Sequence, residues 1–350
     1  MSVTESSSAS ISHPLKSNAT GASPQLAPAS LPMPLVIALL AVCFGCAVLV
    51  LQWDNVVQLF SSTCSEHFGE YLSAKRCGSA VNKIHIYAIA FALLPLIMIA
   101  ERLIPADPDQ PQFSPGMLVD LLWFATFPLL IILLRTPLED GLKAIFGEGF
   151  HPLEGLPVVA QFLIVILASD FIAWASHWVR HHVPMFWEFH KIHHSQTQLN
   201  YFTSLRLHPG DQIVNTLLRF LPFTLLGLEI GLPIFLVWST ILRIYEMFVH
   251  SNLRTNLGWL RYLIVTPQSH RIHHSEREEH AGLNLGNFFS IWDFLFRTQC
   301  LDFKIYPKTH CGDPECPTGT ARTVGEALRV LANEMIYPFR VLARRWRASS

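Results

Sequence analysis

His177-Trp178-Val179-Arg180-His181-His182, then His190-Lys191-Ile192-His193-His194, and much later His270-Arg271-Ile272-His273-His274, are the stretches on which this sequence turns. On a helix, residues three or four apart share a face, with Cβ atoms about 5–6 Å from one another. His177 and His181 can therefore grip one ion, and each HxxHH triplet presents three imidazoles to one side. Twelve of the 17 histidines fall between His177 and His280. A single HxxHH arises easily in such a stretch; two copies, the first preceded by an HxxxH, do not. His250, which closes a long apolar run, returns to the same surface. The candidate metal ligands are thus His177, His181, His190, His193, His194, His250, His270, His273 and His274.

Nine imidazoles are more than one ion can hold. Two six-coordinate ions offer roughly twelve positions, which leaves some for water, dioxygen or substrate. A structural zinc ion normally closes at four ligands. Imidazole suits iron, zinc, copper or nickel and argues against magnesium and calcium, which want oxygen. His182, His208 and His280 read as ordinary buried or interfacial histidines.

Around the clusters the chain is oily. Of 350 residues, 51% are hydrophobic and 15% charged, where soluble domains carry about 25% charged. Apolar runs at 33–51, 84–100, 117–134 and 156–175 each approach the ~20 residues that cross a hydrocarbon core as helix. A further run, 213–249, is punctuated by Pro222, Gly227, Gly231 and Pro233, so it reads as a helical hairpin that enters and leaves on one side. Four spans return the chain to its starting side near Ser176. Of 25 Lys and Arg, 18 lie beyond residue 175, which places the histidines on the cytoplasmic face. The loop 52–83 then lies outside, where Cys64 and Cys77 either pair or stay free.

The expected fold is all-α: a multi-span transmembrane helical bundle with a cytoplasmic helical cap that holds a histidine-ligated dimetal site. Residues 1–33, rich in Ser, Ala, Thr and Pro, read as a disordered tail. Residues 34–155 form the N-terminal membrane helices and their loops, and 156–300 the catalytic region. Residues 301–350 form a loop and a basic amphipathic helix, opened by a capping box at Thr323-Val324-Gly325-Glu326. A net charge of −1 gives no general attraction to nucleic acid. No GxGxxG follows a strand, so electrons must come from a partner. His208-Pro209-Gly210 lacks the second glycine of a haem-binding cytochrome b5 loop.

The segment from Asp170 and Trp174 through His177 to Ser195, with Pro267-Gln268-Ser269-His270 and the closing Asn284-Leu285-Gly286, Trp292-Asp293 and Thr298, resembles the fatty acid hydroxylase/sterol desaturase superfamily over about residues 95–300. Trp178, Trp174, Leu285 and Arg297 depart from that family's usual residues without removing a ligand. The resemblance implies two iron ions at the nine histidines, with zinc as a substitute in recombinant protein. It also implies dioxygen as co-substrate and an external electron donor (cytochrome b5-like, ferredoxin or reductase). The substrate would be a lipid from the bilayer, hydroxylated or desaturated: fatty acyl chain, sterol, alkylglycerol or aminolipid. A zinc-dependent lipid hydrolase and a non-catalytic metal-binding membrane protein are the alternatives. Asp170 shares a helix face with Trp174, His177 and His181, so its carboxylate is expected to fix a ligand tautomer, and Asn284 is expected to support the site similarly.

Overall fold

The computed structural model describes residues 74–349, apart from 148–149, 229–231, 314 and 318–319, together with scattered positions between 37 and 55. The tail, the first expected span and most of the loop 52–83 with its two cysteines lie outside the described residues. Among these residues the chain is helical, with isolated β-bridges and no strand.

Helix α1 (Ala74–Leu103) carries Pro95 and leads through a loop to α2 (Pro115–Leu130). A π-helical turn at Ile131–Arg135 joins α2 directly to α3 (Thr136–Phe146). Helix α4 (Val158–His182) follows, and Pro184 restarts the chain as α5 (Pro184–His194). The apolar run beyond divides, as its breakers require, into α6 (Pro209–Leu225) and α7 (Leu232–Val249). Short α8 (Pro267–His273) and α9 (Ile291–Leu295) precede the long C-terminal α10 (Val324–Ser349).

Two of these helices are long and apolar enough to cross a membrane: Ile86–Leu103 within α1, and α4. Both leave apolar side chains outward, Leu96 and Ile99 on α1 and Val159 and Leu163 on α4, so the protein is membrane-associated. The third expected span is used differently. Asp120, wholly buried in α2, accepts hydrogen bonds from Gln196, Asn200, Thr203 and Arg206. The first turns of α2 therefore pack into the polar cap rather than against lipid.

The two legs of the apolar hairpin diverge onto different partners. Helix α6 packs on α3, α4 and α5, whereas α7 packs on α1 and α8. Their cap-side ends nonetheless meet, because Asp211 opens α6 and His250 follows α7. Gly210 permits this closure: a Cβ there would sit 2.5 Å from the Phe189 ring of α5. Helix α10 packs on α2 and α5. Its Glu334 pairs with the fully buried Arg206, whose other end holds Asp120 at 2.7 Å. Thr323 caps α10 by accepting from Glu326 N, but the Glu326 carboxylate turns back to Arg322 N, so the expected reciprocal box is only half formed. A complete capping box occurs instead at Thr266–Ser269, fixing the start of ligand helix α8.

Candidate metal centre

All nine predicted histidines converge, in two pockets. His177, His181, His190, His194 and His273 form one; His193, His250, His270 and His274 form the other, with ligand nitrogens in each group within 4.8 Å of one another. Helix geometry explains the division. Relative to the first histidine of HxxHH, the fourth residue turns by about −60° and the fifth by about +40°, so the adjacent pair splays by about 100°. The i,i+4 pairs stay together: His177 with His181, His190 with His194, His270 with His274. The i+3 members, His193 and His273, cross to the opposite pocket. The pockets abut where His194 and His274 stack at 4.3 Å between centroids.

Ring tautomers follow from the partners behind the ligands. His177 Nδ1 donates to the carbonyl of Leu285 at 2.9 Å, and His273 Nδ1 to that of Leu283 at 2.9 Å. His250 Nδ1 donates to Glu246 O at 2.6 Å. His190 Nδ1 lies 3.2 Å from Asp211 Oδ2, and Arg180 Nη1 reaches the same oxygen at 3.0 Å. Arg180 Nη1, which only donates, also lies 3.0 Å from His190 Nδ1, and that nitrogen carries its proton toward Asp211 when Nε2 is held by a metal. Burial alone would raise the pKa of Asp211, but Arg180 and His190 hold it well below the usual carboxylate range.

The Nε2 atoms of His177 and His190 face each other across 3.1 Å. In the second pocket His250 Nε2 faces His193 at 3.2 Å and His270 at 2.9 Å. Such a pair shares one proton as an N–H···N hydrogen bond in the absence of a metal, and both nitrogens are free to bind a cation once each ring carries its proton on Nδ1. The spacing matches the edge of an octahedron with metal–nitrogen bonds of about 2.1 Å, near 3.0 Å. The buried Nε2 atoms of His181, His194, His273 and His274 have no hydrogen-bond partner among the described residues, so the donor set fits a metal in each pocket. Burial pushes His273 down to about 3 and His250 to about 4, and it holds His194 and His274 well below the ordinary histidine range. These rings are neutral at pH 7 and available as ligands.

Among the described residues, His182, His208 and His310 lie outside both pockets. His182 is exposed and stacks on Trp178 at 4.2 Å. His208 caps α6 by accepting from Gly210 N, and its Nε2 donates to Met335 O. His310 lies 3.8 Å from Cys311 Sγ, outside both pockets.

Asp170 corrects the expectation placed on it. Its oxygens accept from Phe288 N, Phe289 N and Trp292 Nε1, and no histidine reaches them. It anchors the closing segment to α4. Asp293 does the same from the other side, accepting from Trp174 Nε1, Leu285 N, Gly286 N and Thr298 Oγ1. Gly286 admits this carboxylate at a distance where a Cβ would lie 2.8 Å away. Asn284 does stand behind the site, though not by touching a ring. In the left-handed region at φ 53°, it bonds Ser269 O and Cys300 N at 2.8 Å each. It thereby sets the two flanking carbonyls, Leu283 and Leu285, that receive His273 and His177. Asp211 and Arg180 are not marked by the histidine spacing, although Asp211 directly follows His208-Pro209-Gly210.

A buried, paired set of imidazoles carried by an apolar helical scaffold could hold a metal ion in each of two pockets. Residues 162–298, which hold all nine histidines, match the fatty acid hydroxylase family model. Among curated proteins it is similar to the ornithine lipid hydroxylase OlsE of Rhizobium tropici, 30% identical over 173 residues, which is 49% of this chain and 50% of that protein. It is also similar to alkylglycerol monooxygenases. That of Caenorhabditis elegans is 30% identical over 141 residues (39% of this chain, 26% of the relative), and the human one 28% over 132 residues (38% and 29%). The chain thus spans half or less of the length of these relatives. No solved structure matches it.

Proposed function

We propose that this protein is a multi-pass membrane enzyme that hydroxylates a lipid C–H bond with dioxygen, using two iron ions held by the nine histidines on the cytoplasmic face. The division of those histidines into two buried pockets carries the proposal, and the hydroxylase and monooxygenase relatives support it. The balanced reaction is R–H + O2 + 2e− + 2H+ → R–OH + H2O, with the electrons from an external one-electron donor. Iron bound in the pockets would supply the redox chemistry for activating dioxygen.

The chain's own residues supply the rest. Asp211, Glu246, Leu283 and Leu285 hold ligand rings through their Nδ1 protons, so each ring presents one fixed lone pair. Nine buried or nearly buried imidazoles keep bulk water from the metals. Trp187 covers the five-histidine pocket, with its ring 4.9 Å from that of His181. The outward apolar faces of α1 and α4 give a lipid chain a route from the bilayer.

The test is purified protein in nanodiscs, loaded with iron and supplied with a reductase and donor. Reductant-dependent oxygen uptake should accompany a lipid product heavier by one oxygen atom, with the label retained from 18O2. Product formed without oxygen uptake would mark a hydrolase instead.

A further inference from the structure

Helix α10 has two sides that do opposite jobs. One side is committed to the protein: Ala327, Glu334, Tyr337 and Val341 are buried, and Arg344 and Arg345 pair with Glu315 and Glu188. The other side is apolar and exposed, with Leu328 52%, Ile336 45%, Phe339 56% and Trp346 74% accessible. At 3.6 residues per turn these four fall within about 80° of arc, nearly opposite the buried side. Along one edge of that stripe, at about 100–120°, stand the exposed Arg329, Arg340 and Arg347. No acidic residue shares the stripe.

An apolar stripe this wide, bordered by guanidiniums, is costly in water and suits the boundary between acyl chains and anionic headgroups. Helix α10 packs on α2, whose Met117, Leu118 and Trp123 share one buried core with Leu94 and Met98 of the apolar α1, so the stripe belongs to the same body as that helix. We infer that α10 is an interfacial helix that docks on the bilayer through Leu328, Ile336, Phe339 and Trp346 and binds anionic phospholipid headgroups through Arg329, Arg340 and Arg347. Through Lys191, which bonds Glu188 and Asp313 beneath α10, this docking bears on ligand helix α5. The inference rests on the membrane association of the protein but not on the identity of its metals.

The test uses full-length protein in nanodiscs of phosphatidylcholine with or without phosphatidylglycerol, either lipid carrying brominated chains. The Trp346 signal is obtained as the difference from Trp346→Phe. Bromolipid should quench that signal, more strongly when phosphatidylglycerol is the brominated lipid. Replacing Arg329, Arg340 and Arg347 together with Gln should abolish the phosphatidylglycerol preference while metal content stays unchanged. Equal quenching in the wild type and the triple variant would overturn the headgroup assignment. A Trp346 signal untouched by any bromolipid, or shielded only when a soluble acidic electron-transfer protein is added, would overturn the membrane assignment. Folded protein that purifies with fewer than two metals yet still shows the quenching would overturn the dimetal proposal and leave the docking of α10 supported.

Discussion

His190 and Asp211 meet at 3.2 Å, Nδ1 to Oδ2, although α5 carries one and α6 the other. Both are almost wholly buried, at 2% and 1% accessibility, and Arg180 completes the charge balance. The carboxylate fixes which nitrogen of His190 faces the five-histidine pocket. Asp211→Asn preserves shape but removes the charge, and the new amide can donate, so the tautomer is no longer enforced. Metal affinity or turnover should fall about 10–100-fold. Equilibrium dialysis with iron, alongside product formation, measures the loss; wild-type values in both would contradict the assigned role.

The division of the ligands predicts separable losses. His193→Ala removes one of four nitrogens from its pocket, whereas His181→Ala removes one of five from the other. Each variant should bind close to one metal tightly and the second weakly, with turnover abolished in both. His208→Ala should retain both metals and lose only about 1 kcal/mol of stability, as the loss of an N-cap does. Elemental analysis after desalting distinguishes these outcomes, and loss of both metals in His208→Ala would upset the assignment.

Proton release gives an independent check. An unperturbed histidine titrates near 6.5, but in the folded protein His273 lies near 3 and His250 near 4 because they are buried. Folding therefore excludes protons that the unfolded chain takes up below about pH 6.5. The lowered values favour the folded state above that pH, and the advantage is lost as the pH falls toward the folded values. Metal added to folded, metal-free protein between pH 6 and 7 should release close to no protons from the pockets. Calorimetry in buffers of different ionisation enthalpy reads this directly; release of several protons per metal would contradict it.

Asn284 offers a test of positioning apart from chemistry. Asn284→Gly tolerates φ 53° but loses the bonds to Ser269 and Cys300, so the carbonyls of Leu283 and Leu285 are held less firmly. Asn284→Ala adds a left-handed strain of about 1–2 kcal/mol. Both should weaken metal binding, with Ala the less stable by thermal melting. Asp170→Asn should lower stability while sparing metal affinity, since Asp170 touches the closing segment rather than a ring.

The histidine set was legible because i,i+3 and i,i+4 spacing is a local property of helices. The allocation of neighbours to different pockets was not, since His193 and His194 acquire different partners only when α7 and α8 arrive. The shared face of Asp170, Trp174 and His177 was read correctly from spacing, yet its partner was the closing segment, which carries Asp293 and Leu285. Asp211 escaped because its meaning lies in Arg180 and His190, which reach it across helices. In the span expected at 117–134, hydropathy alone does not show that Asp120 finds Arg206 and draws the start of the helix into the polar cap.

Metal stoichiometry tests the central claim most directly. Folded protein supplied with iron during expression, purified without chelators and assayed by mass spectrometry of the elements against amino-acid analysis, should contain two first-row metal ions per chain. One ion or none per folded chain would contradict the two-pocket account.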